Sequence, residues 1–152
     1  MERVTLACAT TLVMLCLGAC GSGSPTAPTP TPAPTPTPAM DAVSLGSLAP
    51  AAGTPLLASQ TVMFTATLNY TLASAESGQI VIVIQDQSSR SLQPRGRPQP
   101  AAVVTKGTGT ATLADSIVVP ASGVSSVRVF FPLIPSGASR TDVVVSVSYP
   151  VS

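Results

Sequence analysis

From Thr61 to Leu72 the chain alternates in character at every step, and no other feature constrains the fold as tightly. Val62, Phe64, Ala66, Leu68, Tyr70 and Leu72 share one parity, while five of the six residues on the other parity are Thr or Asn. A period of two belongs to an extended strand, whose successive side chains point to opposite faces. The stretch therefore predicts a strand with one face on a core and one in water. β-Branched residues dominate the rest of residues 41–152, and no stretch there sustains a 3.6-residue period. The expected class is all-β.

Other strands are read in the same way. Ile80-Val81-Ile82-Val83-Ile84 is apolar on both parities, as a central strand is, and it comes after an expected turn at Gly78. Val127, Val129, Phe131 and Leu133 alternate with Ser126, Arg128, Phe130 and Pro132. Val143, Val145, Val147 and Tyr149 form the inward face of a last strand. A first strand spans Val43 to Leu48, ended by Pro50 and Gly53. Ala101–Thr105 is expected to pair with Thr108–Leu113 across Lys106-Gly107, with Ile117–Val119 continuing it. About seven strands of this length predict a single antiparallel β-sandwich over residues 41–152.

The first forty residues have a different composition. Val4 to Leu17 is an uncharged apolar run, too short for a membrane span of ~20 residues but of the length found in export signals. It closes on Leu17-Gly18-Ala19-Cys20, succeeded at once by Gly21-Ser22-Gly23-Ser24. Leu17-Gly18-Ala19-Cys20 resembles the lipobox of bacterial lipoprotein signal peptides. That resemblance implies removal of residues 1–19 as a signal peptide, a diacylglyceryl group on the Cys20 thiol, and frequent acylation of the new amine. It implies the cell envelope as location: the outer membrane where the host has one, otherwise the outer face of the cell membrane. Cys8 and Cys16 would leave with the signal, so no disulfide is expected in the rest of the chain.

Residues 25–38 alternate Pro with Thr or Ala, seven of the fourteen being Pro. Proline fixes φ and lacks an N–H, so the favoured state is extended polyproline II, a semi-rigid stalk of about 40 Å. Residues 20–40 are thus expected to anchor and space the domain formed by residues 41–152. Residues 41–152 resemble the immunoglobulin-like and fibronectin-like modules of secreted bacterial proteins. The residues that carry this are Asn69-Tyr70-Thr71-Leu72, Gly78, the apolar strand at 80–84 and Tyr149. The Cys pair and core Trp of antibody domains are missing, so only the broad architecture carries over: adhesion, spacing or protein binding, with no particular ligand.

The chemistry available is narrow. The chain has no His, which removes the commonest general base and metal ligand. Seven basic against six acidic side chains do not make a duplex nucleic-acid binder. Gly107-Thr108-Gly109-Thr110 begins like a dinucleotide fingerprint but lacks its third Gly and a helix after it. The acids after Cys20 are Asp41, Glu76, Asp86, Asp115 and Asp142, and no spacing pairs any two for acid–base work, so each reads as a turn or surface residue. No catalytic residue, cofactor or metal site is expected.

One segment stands apart. Residues 88–100 hold Arg90, Arg95 and Arg97, no acid, and Pro94, Pro98 and Pro100. Arginine forks suit carboxylates and phosphates, so one reading is a loop for an anionic partner such as a lipid headgroup or an acidic polysaccharide. The other is a solubilising loop whose prolines block edge pairing. The leading expectation is a lipid-anchored, non-enzymatic interaction module meeting an envelope protein or an anionic envelope polymer. Its alternatives are a passive spacer without a ligand and, remotely, a small hydrolase built on paired carboxylates.

Overall fold

The computed structural model describes residues 39–152. The expected signal peptide, the lipidated Cys20 and the Pro/Thr stalk through residue 38 lie outside the described residues. Within them the chain is all-β: β1 (Ala42–Ala49), β2 (Thr61–Val81), β3 (Val83–Asp86), β4 (Ala101–Val118), β5 (Ser126–Pro135) and β6 (Val144–Pro150). Every strand pairing is antiparallel. β1 and β4 flank β2, the end of β2 and all of β3 pair with β5, and β6 closes on the other edge of β5.

Six strands replace the expected seven because the two expected boundaries before Ile80 and at Lys106-Gly107 fall inside long strands, while Ile82 splits the expected strand at 80–84 between β2 and β3. β2 pairs with β4 from Thr61↔Val118 to Leu72↔Gly107, breaks register, and resumes from Ser77↔Thr105 to Val81↔Ala101. Residues 73–76 therefore stand opposite Lys106 alone, a bulge that bends the ribbon without ending it. Ala101–Thr105 and Thr108–Leu113 do not pair with each other; both are stretches of β4 and both pair with β2. Gly78 is likewise no turn. It is paired on both edges, and a Cβ there would sit 2.8 Å from the Ile134 carbonyl oxygen, so the glycine allows β5 to approach.

The bulge needs outside help with its backbone. Asp41 supplies it, accepting hydrogen bonds from the amides of Ala73 at 2.7 Å and Ser74 at 2.9 Å and from the Ser74 hydroxyl. Donation by the Ser74 hydroxyl, with the two amides, favours the ionised form and holds the Asp41 carboxyl below its ordinary range. The N-terminal segment thus enters at the bend. Since β2 and β3 run away from the bend to Asp86, and β5 runs back from Val127 to Pro135, the Asp86 turn lies at the opposite end.

Burial keeps to the alternation. Phe64, Leu68 and Leu72 before the bend and Ile80, Ile82 and Ile84 after it are fully buried in one cluster, with Val127, Val129, Phe131 and Leu133 of β5. Each such side chain contributes ~1.5–3 kcal/mol of burial. Phe64 and Tyr149 lie on strands that do not pair, yet their ring centroids are 5.2 Å apart at 60°, an edge-on contact made across the core. The Tyr149 hydroxyl donates to the Pro50 carbonyl at 2.8 Å, and burial raises its pKa to about 12. A parallel bridge between Leu56 and Val151 ties the β1–β2 connection to the final residues.

Candidate functional site

The arginine-bearing segment begins where β3 ends. Asp86 Oδ1 accepts from the amides of Ser88 at 2.8 Å and Arg90 at 2.9 Å, closing a turn in which Ser89 takes φ 63°. Short polar side chains favour this kind of local closure. The chain then runs back along β3: the Asp86 amide donates to the Arg90 carbonyl, and the Leu92 amide to the Ile84 carbonyl, both at 2.9 Å. Arg90 is thereby fixed at the end of the domain opposite the bend.

Beyond Leu92 the loop crosses from β3 toward β4. Ile82 falls between β2 and β3 and lacks a ladder partner, so its backbone groups must be satisfied elsewhere. Its amide donates to the Pro100 carbonyl at 3.2 Å, and its carbonyl accepts the Gln99 side-chain amide at 2.9 Å and the Gln93 side-chain amide at 3.1 Å. The break in the strand is thus what holds the loop down. Pro94, Pro98 and Pro100 offer no donors to a passing strand.

Asp115 is the residue that sequence reasoning missed. It is neither in a turn nor on the surface: it sits in β4 and is 3% exposed. Its Oδ1 accepts from the Ser116 amide at 2.8 Å and pairs with Arg97 Nη2 at 3.1 Å, while its Oδ2 accepts from Gln93 Nε2 at 2.6 Å. A carboxylate removed from water needs such partners, and here Arg97 and Gln93 pin the loop onto β4. The signal was present in the alternation. Ala111, Leu113, Asp115, Ile117 and Val119 share one parity, and the other four are buried apolar residues. Asp86 succeeds Ile80, Ile82 and Ile84 in the same way and is also buried.

The loop, Val83 and Asp115 enclose an open-sided groove of about 540 Å³, and all three arginines singled out from the sequence line it. They are not equivalent. Arg97 is spent on Asp115, whereas among the described residues the remaining ion pair is Lys106–Glu76 at 2.6 Å, so Arg90 and Arg95 have no acidic partner there. Both are exposed. The groove presents two unneutralised guanidinium groups and one that is structurally committed.

The acids among the described residues are each engaged or exposed. Both oxygens of Asp115 are occupied, Asp86 Oδ1 closes a turn, Asp41 caps the bulge, and Glu76 is exposed. Asp142 is exposed as well and makes no ion pair among the described residues. Gly107-Thr108-Gly109-Thr110 lies inside β4, where Gly109 leaves room for the Tyr70 ring, which a Cβ would approach to 2.7–2.9 Å. Cys20 lies outside the described residues. Comparison with protein-family models finds no family that matches the chain, and comparison with curated proteins finds none that is similar.

Proposed function

We propose that the protein is a lipid-anchored, non-enzymatic envelope component that presents an immunoglobulin-like β-sandwich and holds an anionic partner in the arginine groove. The groove itself carries this reading. Two guanidinium groups left without acids, on a loop tied down to Ile82 and to Asp115 of β4, form a pre-ordered site for carboxylate or phosphate. The lipobox-like Leu17-Gly18-Ala19-Cys20 supports the anchor, and the Pro/Thr run supports a stalk that lifts the domain from the surface.

The sandwich reading rests on the bend. β1 with the first half of β2 and the second half of β4 would form one layer, and the rest of β2 and β4 with β3, β5 and β6 the other. Counted on both sides of the bend, these strands reach the number such a module needs. The Phe64–Tyr149 contact is what two layers closing on one core produce.

Two measurements test the proposal. Fractionation of cells expressing the full chain should place it in membranes, and Cys20→Ser should release it or block its processing. Capture of anionic envelope material by the full chain should fall on Arg90→Ala with Arg95→Ala. A Cys20 variant that is processed and fractionates as the parent does overturns the anchor; unchanged capture overturns the groove.

A further inference from the structure

We infer that the outer edge of β4 is a self-association site, through which two copies of the chain pair antiparallel over residues 108–114 about a twofold axis at Ala111.

The open edge follows from the hydrogen bonding. β4 has β2 on one side and, among the described residues, no strand on the other. The Val119 amide donates to the Gln60 carbonyl, and the Val119 carbonyl accepts from the Ser59 amide, so both backbone groups face the β2 side. Backbone direction alternates along a strand, and the register with β2 is unbroken from Val118 to Gly107. Ile117, Asp115, Leu113, Ala111 and Gly109 therefore also face β2. Thr108, Thr110, Thr112 and Ala114 turn their N–H and C=O groups to the open side, where nothing among the described residues bonds them. Such a row is a template for another strand unless something blunts it. β1 is broken by a register shift between Leu45 and Ser47, and β3 is covered by the bridge from Gln85 to Ser91. Between residues 108 and 114 β4 has no proline, no register shift and no charge.

The limits of this stretch select a second copy and fix its register. At Gly107, with φ 108°, the ribbon bends, and Lys106 beside it is tied to Glu76. At Ser116 the amide is already given to Asp115 Oδ1, which also holds Arg97. The midpoint of what remains is Ala111. A strand that pairs antiparallel with its own copy is isologous, each contact occurring twice. With the axis at Ala111, Thr110 stands opposite the second copy's Thr112, and Thr108 opposite its Ala114. An axis at Thr110 would draw in Lys106 from across the bend, and one at Thr112 would draw in Ser116, whose amide is taken. The axis at Ala111 uses every open group of both copies. It also sets a small side chain at the closest approach, where facing Cα atoms come to about 4.5 Å, and matches Gly109 with Leu113.

No charge in the stretch repels an identical strand. A strip about 24 Å long and about 10 Å deep gives roughly 240 Å² from each copy. That is well under the ~1,200 Å² total of a stable interface, so the dimer forms and dissociates readily.

The test is sedimentation velocity on the full chain carrying Cys20→Ser, so that no lipid on the protein drives association, from about 10 μM to about 1 mM. The parent should show a concentration-dependent monomer–dimer equilibrium. Thr110→Lys/Thr112→Lys, which sets like charges opposite each other, should raise the dimer Kd at least about tenfold. Thr110→Lys/Thr112→Glu sets opposite charges face to face at this axis alone and should dimerise at least as tightly as the parent. All four positions changed here and in the control are exposed, and urea unfolding confirms that each variant folds. The control, Ser146→Lys/Ser148→Lys on β6, should associate as the parent does. A parent that stays monomeric at about 1 mM overturns the inference and leaves the edge to a strand of another protein. Equal weakening in the β6 control overturns the assignment to β4. A Thr110→Lys/Thr112→Glu chain as weakened as Thr110→Lys/Thr112→Lys overturns the axis at Ala111.

Discussion

Arg97→Ala should destabilise the domain more than Asp115→Asn does, although the two substitutions break the same ion pair. The difference comes from burial. The Asp115 side chain is 1% exposed and that of Arg97 is 47% exposed. Without Arg97, a carboxylate out of water keeps only Gln93 and the Ser116 amide. Breaking a fully buried pair from the cationic side costs ~3–5 kcal/mol. Half-exposure of the arginine reduces this, and about 2 kcal/mol is expected. Without the Asp115 charge, Arg97 returns to solvent, and the isosteric amide keeps one acceptor oxygen while its NH2 faces a donor, so the cost should be about 1 kcal/mol. The double variant should be more stable than Arg97→Ala alone, since no unpaired carboxylate remains. Urea unfolding of the full chain, monitored by far-UV circular dichroism, measures all three, with Arg95→Ala as a control expected within about 0.5 kcal/mol of the parent. If Arg97→Ala matches Arg95→Ala, or costs less than Asp115→Asn, the loop is not held by Asp115 as described.

Two further perturbations probe the fold that positions the groove. The raised pKa of Tyr149 favours its neutral form in the folded state, so stability is complete below the unfolded value near 10 and declines as pH rises toward about 12. Tyr149→Phe should cost about 1 kcal/mol at neutral pH and flatten that alkaline decline, as read from melting temperature against pH. Gly78→Ala, whose Cβ would meet the Ile134 backbone oxygen, should destabilise by about 1–3 kcal/mol. Gly109→Ala meets only the half-buried Tyr70 ring, which can turn aside, and should cost less than about 1 kcal/mol in the same denaturation series.

The alternation from Thr61 to Leu72 carries through to the structure because burial on one face of a strand is a local property of parity. Phe64, Leu68, Phe131 and Tyr149 are buried where their parity places them. The ends of strands were less legible. Gly78 and Lys106-Gly107 have turn chemistry, yet both sit within strands, because a bulge and a close approach of two backbones require the same glycine freedom that a turn does. The three arginines were legible as a group from their spacing and the lack of nearby acids. Which of them is free was not, since Asp115 lies in a different strand and reaches Arg97 only through the fold. Its parity marked it as inward-facing, but an acid on an apolar face has no meaning until its partner is known.

An anchor at Cys20 is what would hold the arginine groove at a cell surface, and it is the part most directly open to measurement. Mass spectrometry of the N-terminus of the protein extracted from membranes should find a chain that begins at Cys20 with a diacylglyceryl thioether on its sulfur. A chain that retains Met1 with an unmodified Cys20 would contradict it.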